Sequence, residues 1–146
     1  MLYWILFKKI TLHHLERPID FLQECWRIAR KRVVIVEVTP DSNKSDALNK
    51  LESFRDPSHV RFPSVTELMD LLKQAGYGNR IEMEGYRVQS SLKDWRERSF
   101  FADESARESF EKMLAESLKE GKDSLDLRLT SNSWSHPVSI VCAEKT

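Results

Sequence analysis

Apolar residues return along this chain in two rhythms. Leu2-Tyr3-Trp4-Ile5-Leu6-Phe7 is an unbroken apolar run, and Val33-Val34-Ile35-Val36-Glu37-Val38 repeats it with β-branched side chains. Uninterrupted runs of this length predict strands covered on both faces. The second run closes at Pro40-Asp41-Ser42-Asn43. Between the two runs the spacing changes. Ile19, Leu22, Cys25, Trp26 and Ala29 recur at three- and four-residue intervals, with Phe21 and Ile28 widening the face. That pattern predicts a helix opening on Pro18. Its end carries Arg27, Arg30, Lys31 and Arg32, the sign of charge that suits a helix C-terminus. Strand, helix and strand in about 40 residues make a βαβ unit, so these two strands run parallel with a right-handed crossover.

The later pattern is more broken. A helix is predicted over about residues 44–54. The polar loop Arg55-Asp56-Pro57-Ser58-His59-Val60-Arg61 follows it. Ser64 with Glu67 three residues on reads as a capping box, and that helix runs to Ala75 and stops at Gly76. Residues 80–90 alternate as a strand through Ile81, Met83, Tyr86 and Val88, and residues 94–99 form a short helix. Phe110, Met113, Leu114 and Leu118 mark an amphipathic helix over residues 105–119, ended by Gly121. Residues 125–129 alternate weakly, and residues 138–143 form a last buried strand. The pattern predicts an α/β fold. Its open sheet starts parallel and ends in antiparallel strands, all within one domain over residues 1–146.

Composition narrows the function classes. The chain has 146 residues, 40% of them apolar and 32% charged, which suits one globular domain with a core of its own. Its net charge is zero, so no global field favours nucleic acid or an anionic membrane. The apolar start lacks a basic segment before it and a small-residue cleavage site after it. It is also far shorter than the roughly 20 residues a membrane-spanning helix needs. A cytoplasmic protein is expected, with Cys25 and Cys142 as two reduced core thiols.

Candidate chemistry gathers where strands end. Ligands of open α/β sheets sit beyond the carboxyl ends of the strands, and His13 and His14 follow the first strand there. Neighbouring side chains diverge, so the pair does not call for zinc, and no metal site is expected. Either one histidine packs against the next helix while the other faces solvent, or both wall a ligand. Glu37 ends the central strand among apolar neighbours, where its carboxylate is partly desolvated or reaches water. In the polar loop, His59 beside Asp56 has the makings of a general base, and an Asx or Ser turn explains the same residues. Trp95 lies outside the strongest strand patterns, where it can line a pocket. The four glycines Gly76, Gly78, Gly85 and Gly121 lie in no strand-Gly-x-Gly-helix context. There is no phosphate loop and no nucleophile elbow.

Four segments together resemble the C-terminal half of a class I S-adenosylmethionine-dependent methyltransferase of the small-molecule, quinone-biosynthesis-like branch. They are ITLHHLERPIDFLQECWRIAR, RVVIVEVTPD, LNKLESFRDPSHVRFPSVTELMDLLKQAGYG and PVSIVCAEK. The third is the most specific. The usual Pro-Gly-Gly turn before the second is replaced by Arg30-Lys31-Arg32. The resemblance implies a partial Rossmann-like sheet, strands four to seven of seven, with flanking helices. It implies S-adenosylmethionine as cofactor, with Thr11, His13 and His14 as the part of its site present here. It further implies His59, Asp56 and Glu37 as catalytic candidates, and Arg55, Arg61 and Trp95 as groups binding a small-molecule acceptor. The Gly-rich cofactor loop is absent from this sequence. The expectation is therefore a truncated or split enzyme, inactive alone. Its strand at residues 2–7 would be covered by a homodimer partner or a complementing N-terminal half. A non-catalytic dimerisation or interaction module derived from such an enzyme is the alternative. An unrelated hydrolase lacks the motif it would need.

Overall fold

The computed structural model describes residues 5–78, 80–120 and 125–145. One sheet holds β1 (Ile5–Lys9), β2 (Arg32–Val38), β3 (Ile81–Ser91), β4 (Arg128–Leu129) and β5 (Ser133–Glu144). The order is β1-β2-β5-β3, with the short β4 also on β5. β1 and β2 are parallel, Ile5 opposite Arg32 and Lys9 opposite Val36. β2 and β3 each pair antiparallel with β5. The expected change from parallel to antiparallel is present. The helices are α1 (Pro18–Ile28), α2 (Ser45–Arg55), α3 (Val65–Gln74), α4 (Leu92–Glu97) and α5 (Glu104–Glu120). Among the described residues, no helix is long and apolar enough to cross a membrane.

Alternation along β2 divides the interior in two, because successive side chains of a strand take opposite faces. Val33 and Ile35 join Val141 and Ala143 of β5 beneath α1 and α3, packing with Leu22, Cys25, Leu68 and Leu72. Val36 and Val38 join Val138 on the other face, against Leu48 and Leu51 of α2, Trp95 of α4, and Phe110 and Leu114 of α5.

Local chemistry sets the boundaries. Ser64 Oγ accepts from Glu67 N at 3.2 Å, and Glu67 Oε2 accepts from Ser64 N at 2.7 Å, the predicted capping box. Past α3, Gly76 takes φ 91°, which a side chain would strain. One burial reading and three boundary readings change. Ile28 is 51% exposed, because it sits off the buried stripe of Leu22, Cys25 and Ala29. The short helix begins two residues earlier, at Leu92, where the Ser91 side chain accepts from Asp94 N. The weak alternation at residues 125–129 yields only Arg128–Leu129, because Asp126 breaks it with φ 53°. The last strand starts five residues before Val138 and runs through Pro137. Residues 2–4 of the first predicted strand, and the helix stop Gly121, lie outside the described residues.

Pro137 occupies a seam. β5 has β4 beside it at Trp134 and Ser135, and β2 beside it from Val138 onward. The Pro137 carbonyl accepts from Thr39 N at 3.2 Å, so its nitrogen faces that same side, between the end of β4 and the end of β2. A residue without an N–H fits there because no ladder bond is due. The seam opens the sheet beside His136, where the candidate site lies.

Candidate functional site

The carboxyl end of β1 is shaped by a strained residue. Ile10 takes φ 47°, uncommon for a β-branched side chain, while its N–H donates to the Val36 carbonyl at 2.7 Å. The chain swings from there into a single 3-10 turn, Leu12–His14. Glu37, fully buried at the end of β2, holds that turn. One of its oxygens accepts from Thr11 N at 3.1 Å and Leu12 N at 2.8 Å. The other accepts from Val38 N at 2.9 Å and His13 Nδ1 at 3.0 Å. Four donors from the protein engage this carboxylate. It positions the loop and holds the His13 Nδ1–H toward the carboxylate.

His13 is buried, with its ring 4.0 Å from His14, 5.6 Å from His59 and 4.6 Å from Phe62 between centroids. The carbonyl of His13 accepts from Val60 N at 2.7 Å and Arg61 N at 3.1 Å, which ties the polar loop to the end of β1. His14 is exposed, with Nδ1 3.1 Å from the Ser58 carbonyl. The structure thus brings together Glu37, His13, His14 and His59 from three separate segments.

The partners of His59 differ from the expected ones. Its Nε2 lies 2.8 Å from Asn49 Oδ1, an oxygen that also accepts from Phe62 N at 2.6 Å. Asp56 accepts instead from Ser58 N at 2.9 Å and Ser58 Oγ at 2.6 Å. That is a local turn, in which the nearest donors along the chain capture the carboxylate. Burial lowers the His59 pKa to about 4, and the charges of His13, His14 and Arg55 press the same way. His59 is therefore neutral at pH 7. It donates from Nε2 and keeps a lone pair on Nδ1.

The two arginines separate. Arg55 Nε lies 2.7 Å from Glu52 Oε2, with side chains only 19% and 4% exposed. Burial raises the Glu52 pKa, and Arg55 opposes that shift. Arg61 instead makes two surface pairs, with Asp46 and Glu67, each at 3.0 Å.

A recess of about 210 Å³ lies at this end of the sheet, between Ile10, Val38, His13, Glu52, Arg55, Phe62, Trp95, Trp134 and His136. Trp95 lines it, as its place in the sequence suggested. Glu52, Asn49, Trp134 and His136 are functional candidates that the pattern reading did not single out. The sequence signal was the Trp-Ser-His-Pro step into the last strand, two ring side chains on one face before a proline. Burial lowers the His136 pKa to about 4, with Arg87 adding to the effect. A wider groove of about 380 Å³ runs outside, between the 12–18 segment and α3. Its Arg61 and Glu67 satisfy each other, so the smaller recess is the one with chemistry to offer.

Solved structures share this fold. BH2331 of Bacillus halodurans, provisionally assigned as a methyltransferase, matches with a TM-score of 0.80 at 19% identity. The Bacillus subtilis protein YcgJ matches at 0.79 and 17%. In both cases the match covers 98% of this chain and 64% of the other, so this chain spans less than two thirds of their length. A [4+2]-cyclase, SpnF, matches at 0.50 and 12% identity over 99% of this chain and 51% of its own. No family model and no curated protein matches the sequence. Likeness at these identities establishes the fold, and one fold hosts several reactions. The mixed α/β fold that the resemblance implied is the fold found.

Proposed function

We propose that this chain is the acceptor-binding part of an S-adenosylmethionine-dependent methyltransferase, acts on a small molecule in the cytoplasm, and is inactive by itself. One observation carries the reading. A recess lined by buried polar and aromatic side chains sits at the carboxyl ends of β1 and β2, where open α/β sheets bind ligands, on a fold shared with a provisionally assigned methyltransferase.

The residues present do not make a whole cofactor site. The amides of Thr11 and Leu12 are engaged by Glu37, and the sequence has no Gly-rich loop to add more. Thr11, His13 and His14 amount to one wall. In this reading Glu37 sets that wall, and His59 offers Nδ1 as a hydrogen-bond acceptor. Asp56 acts through the loop that carries His59. Trp95 and Arg55 bound the acceptor. Arg61, paired at the surface, bears on an anionic molecule only if one lies in the outer groove. β1 has β2 on one side and no other described strand on its second side. An open edge of this kind invites pairing, so we place there either a second copy of the chain or a separate N-terminal half.

Calorimetric titration with S-adenosylhomocysteine, run with light scattering for mass, tests this. The expected result is no binding at millimolar ligand by the chain alone, and binding once a complementing half is added. Micromolar binding by a monomer of this chain would overturn the claim that it needs a partner. If no complement restores binding, the module reading takes its place; the engaged amides at residues 11 and 12 already favour it.

A further inference from the structure

Two buried groups of the recess have nothing to bond. Trp134 Nε1 and His136 Nδ1 are each sealed from solvent and without a hydrogen-bond partner in the protein. They are the two such side-chain atoms among the described residues. Both residues are 9% exposed, and both line the recess. Two positions apart on β5, they share one face of the strand. Their rings stack at 4.5 Å, and Trp134 stacks again on Trp95 at 4.1 Å. An unpaired buried polar group costs roughly 1–3 kcal/mol. Two of them on residues that line one recess make it the candidate for a ligand that pairs them.

Charge and size restrict the ligand. Arg55 and Glu52 neutralise each other across 2.7 Å. A carboxylate on the ligand would have to pull Arg55 away and strand Glu52. A cation would meet Arg55 and neutral imidazole. The recess, at about 210 Å³, is smaller than the roughly 300–1,000 Å³ of drug-sized sites. Its small volume and aromatic lining favour a flat molecule of one ring. The indole N–H donates only, so the ligand edge needs an acceptor there. His136 Nδ1 needs a donor when it carries the lone pair.

We propose that the recess binds an uncharged planar ring toward which the Trp134 and His136 side chains, sealed in the unliganded chain, turn, the ring offering a hydrogen-bond acceptor to Trp134 Nε1–H and a donor to His136 Nδ1. Cyclic amides carry that edge, and a hydroxyarene offers both functions on one oxygen. This rests on the recess being the acceptor site, and it moves acceptor recognition from the polar loop to the start of β5.

The test is titration of the full chain with pyridone, a cyclic amide, followed by proton–nitrogen correlation spectra of the tryptophan side chains. Phenol, toluene and benzoate run alongside. Pyridone is expected to shift the Trp134 indole resonance saturably at millimolar concentration, with phenol next. Toluene and benzoate should bind about tenfold more weakly, the loss expected for a missing hydrogen bond or an unwelcome charge. His136→Phe should weaken pyridone by a similar factor. The proposal fails if Trp134 does not respond up to the solubility of pyridone, which would mean that the recess holds water only. Toluene binding as well as pyridone would also overturn it, as would undiminished binding by His136→Phe. If that variant does not fold, the wild-type comparison of pyridone with toluene decides. No S-adenosyl compound is present, so failure here removes the ligand class alone. Failure of the complemented chain to bind S-adenosylhomocysteine removes the methyltransferase reading, and with it the claim that the ring is a methyl acceptor, whatever the ring titration shows.

Discussion

The two faces of the sheet are built from similar residues to different standards. Under α1 and α3 the core is apolar, and the hydroxyl of its buried tyrosine is satisfied: Tyr77 Oη donates to the Leu22 carbonyl at 3.0 Å. Under α2, α4 and α5 the apolar cluster is as large, yet it borders Trp134 and His136 with unpaired atoms, and Glu52 with a raised pKa. Folding alone selects for the first standard. The second is tolerated where a group is kept open for something else. Within one small sheet, the contrast separates a face whose buried tyrosine is paired from a face that carries two unpaired atoms.

Substitution on the two faces should therefore give opposite results, and this is the largest effect expected. Leu72, a fully buried residue of α3, packs in the apolar core there. Leu72→Ala should cost about 3 kcal/mol in a denaturant titration. Trp134→Phe removes a large side chain too, but also removes an unpaired N–H, and the two changes offset. Its stability should stay within about 1 kcal/mol of wild type. If Trp134→Phe costs as much as Leu72→Ala, the two faces are equivalent and the contrast collapses.

Glu37→Gln sharpens the same comparison at the boundary between the faces. The carboxylate accepts from three backbone N–H groups and one imidazole. An amide has one oxygen, so its NH2 must face at least one backbone donor. The expected loss is about 2 kcal/mol, with exchange broadening of the Thr11 and Leu12 amides as the accompanying sign.

Next in size is a pH effect on the face that carries His136. In the folded chain burial depresses the His136 pKa from 6.5 to about 4. Above pH 6.5 both states are neutral and the full stability is present. As pH falls from 6.5 toward 4, the unfolded state takes up the proton and the folded state does not, so stability is lost. At about 1.4 kcal/mol per unit, reduced for partial solvation, this amounts to roughly 2 kcal/mol. Wild type should lose that much more than His136→Gln between those limits. Parallel pH curves would place His136 in a more solvated setting than the recess implies.

How much of this was legible follows from the range over which each signal acts. β2, the Ser64–Glu67 box and the Gly76 stop were readable because each is set within a few residues. The gathering of His13, His14, Glu37 and the polar loop was foreshadowed by strand ends, since all four lie where an α/β sheet binds ligands. What stayed hidden was pairing across the chain. Asp56 and His59 look like a couple at three residues' spacing, but Asn49, ten residues earlier on α2, takes the ring, while Ser58 takes the carboxylate. Arg55 looked free until the fold showed that Glu52 shares its side of α2. Trp134 and His136 read as ordinary strand residues, because nothing local states that β4 ends and β2 has not yet begun beside them.

The smallest expected effect separates the two arginines. Arg61 has twice the number of carboxylate partners that Arg55 has in the ion pairs found, two against one. Counting bridges would make it the more important. Exposure argues the reverse. Its side chain is 42% exposed and its partner Asp46 is 91% exposed, so water and salt screen the pairs. Arg61→Ala should change stability by less than about 0.5 kcal/mol, and the change should vanish at high salt. It should leave pyridone affinity untouched, because Arg61 does not line the recess. Arg55→Ala should do neither. It leaves Glu52 buried beside the ring site without its counter-charge, and a salt titration cannot screen a group that water does not reach. A salt-sensitive, sizeable loss at Arg61 would show that the outer groove, and not the recess, is where charge does its work in this protein.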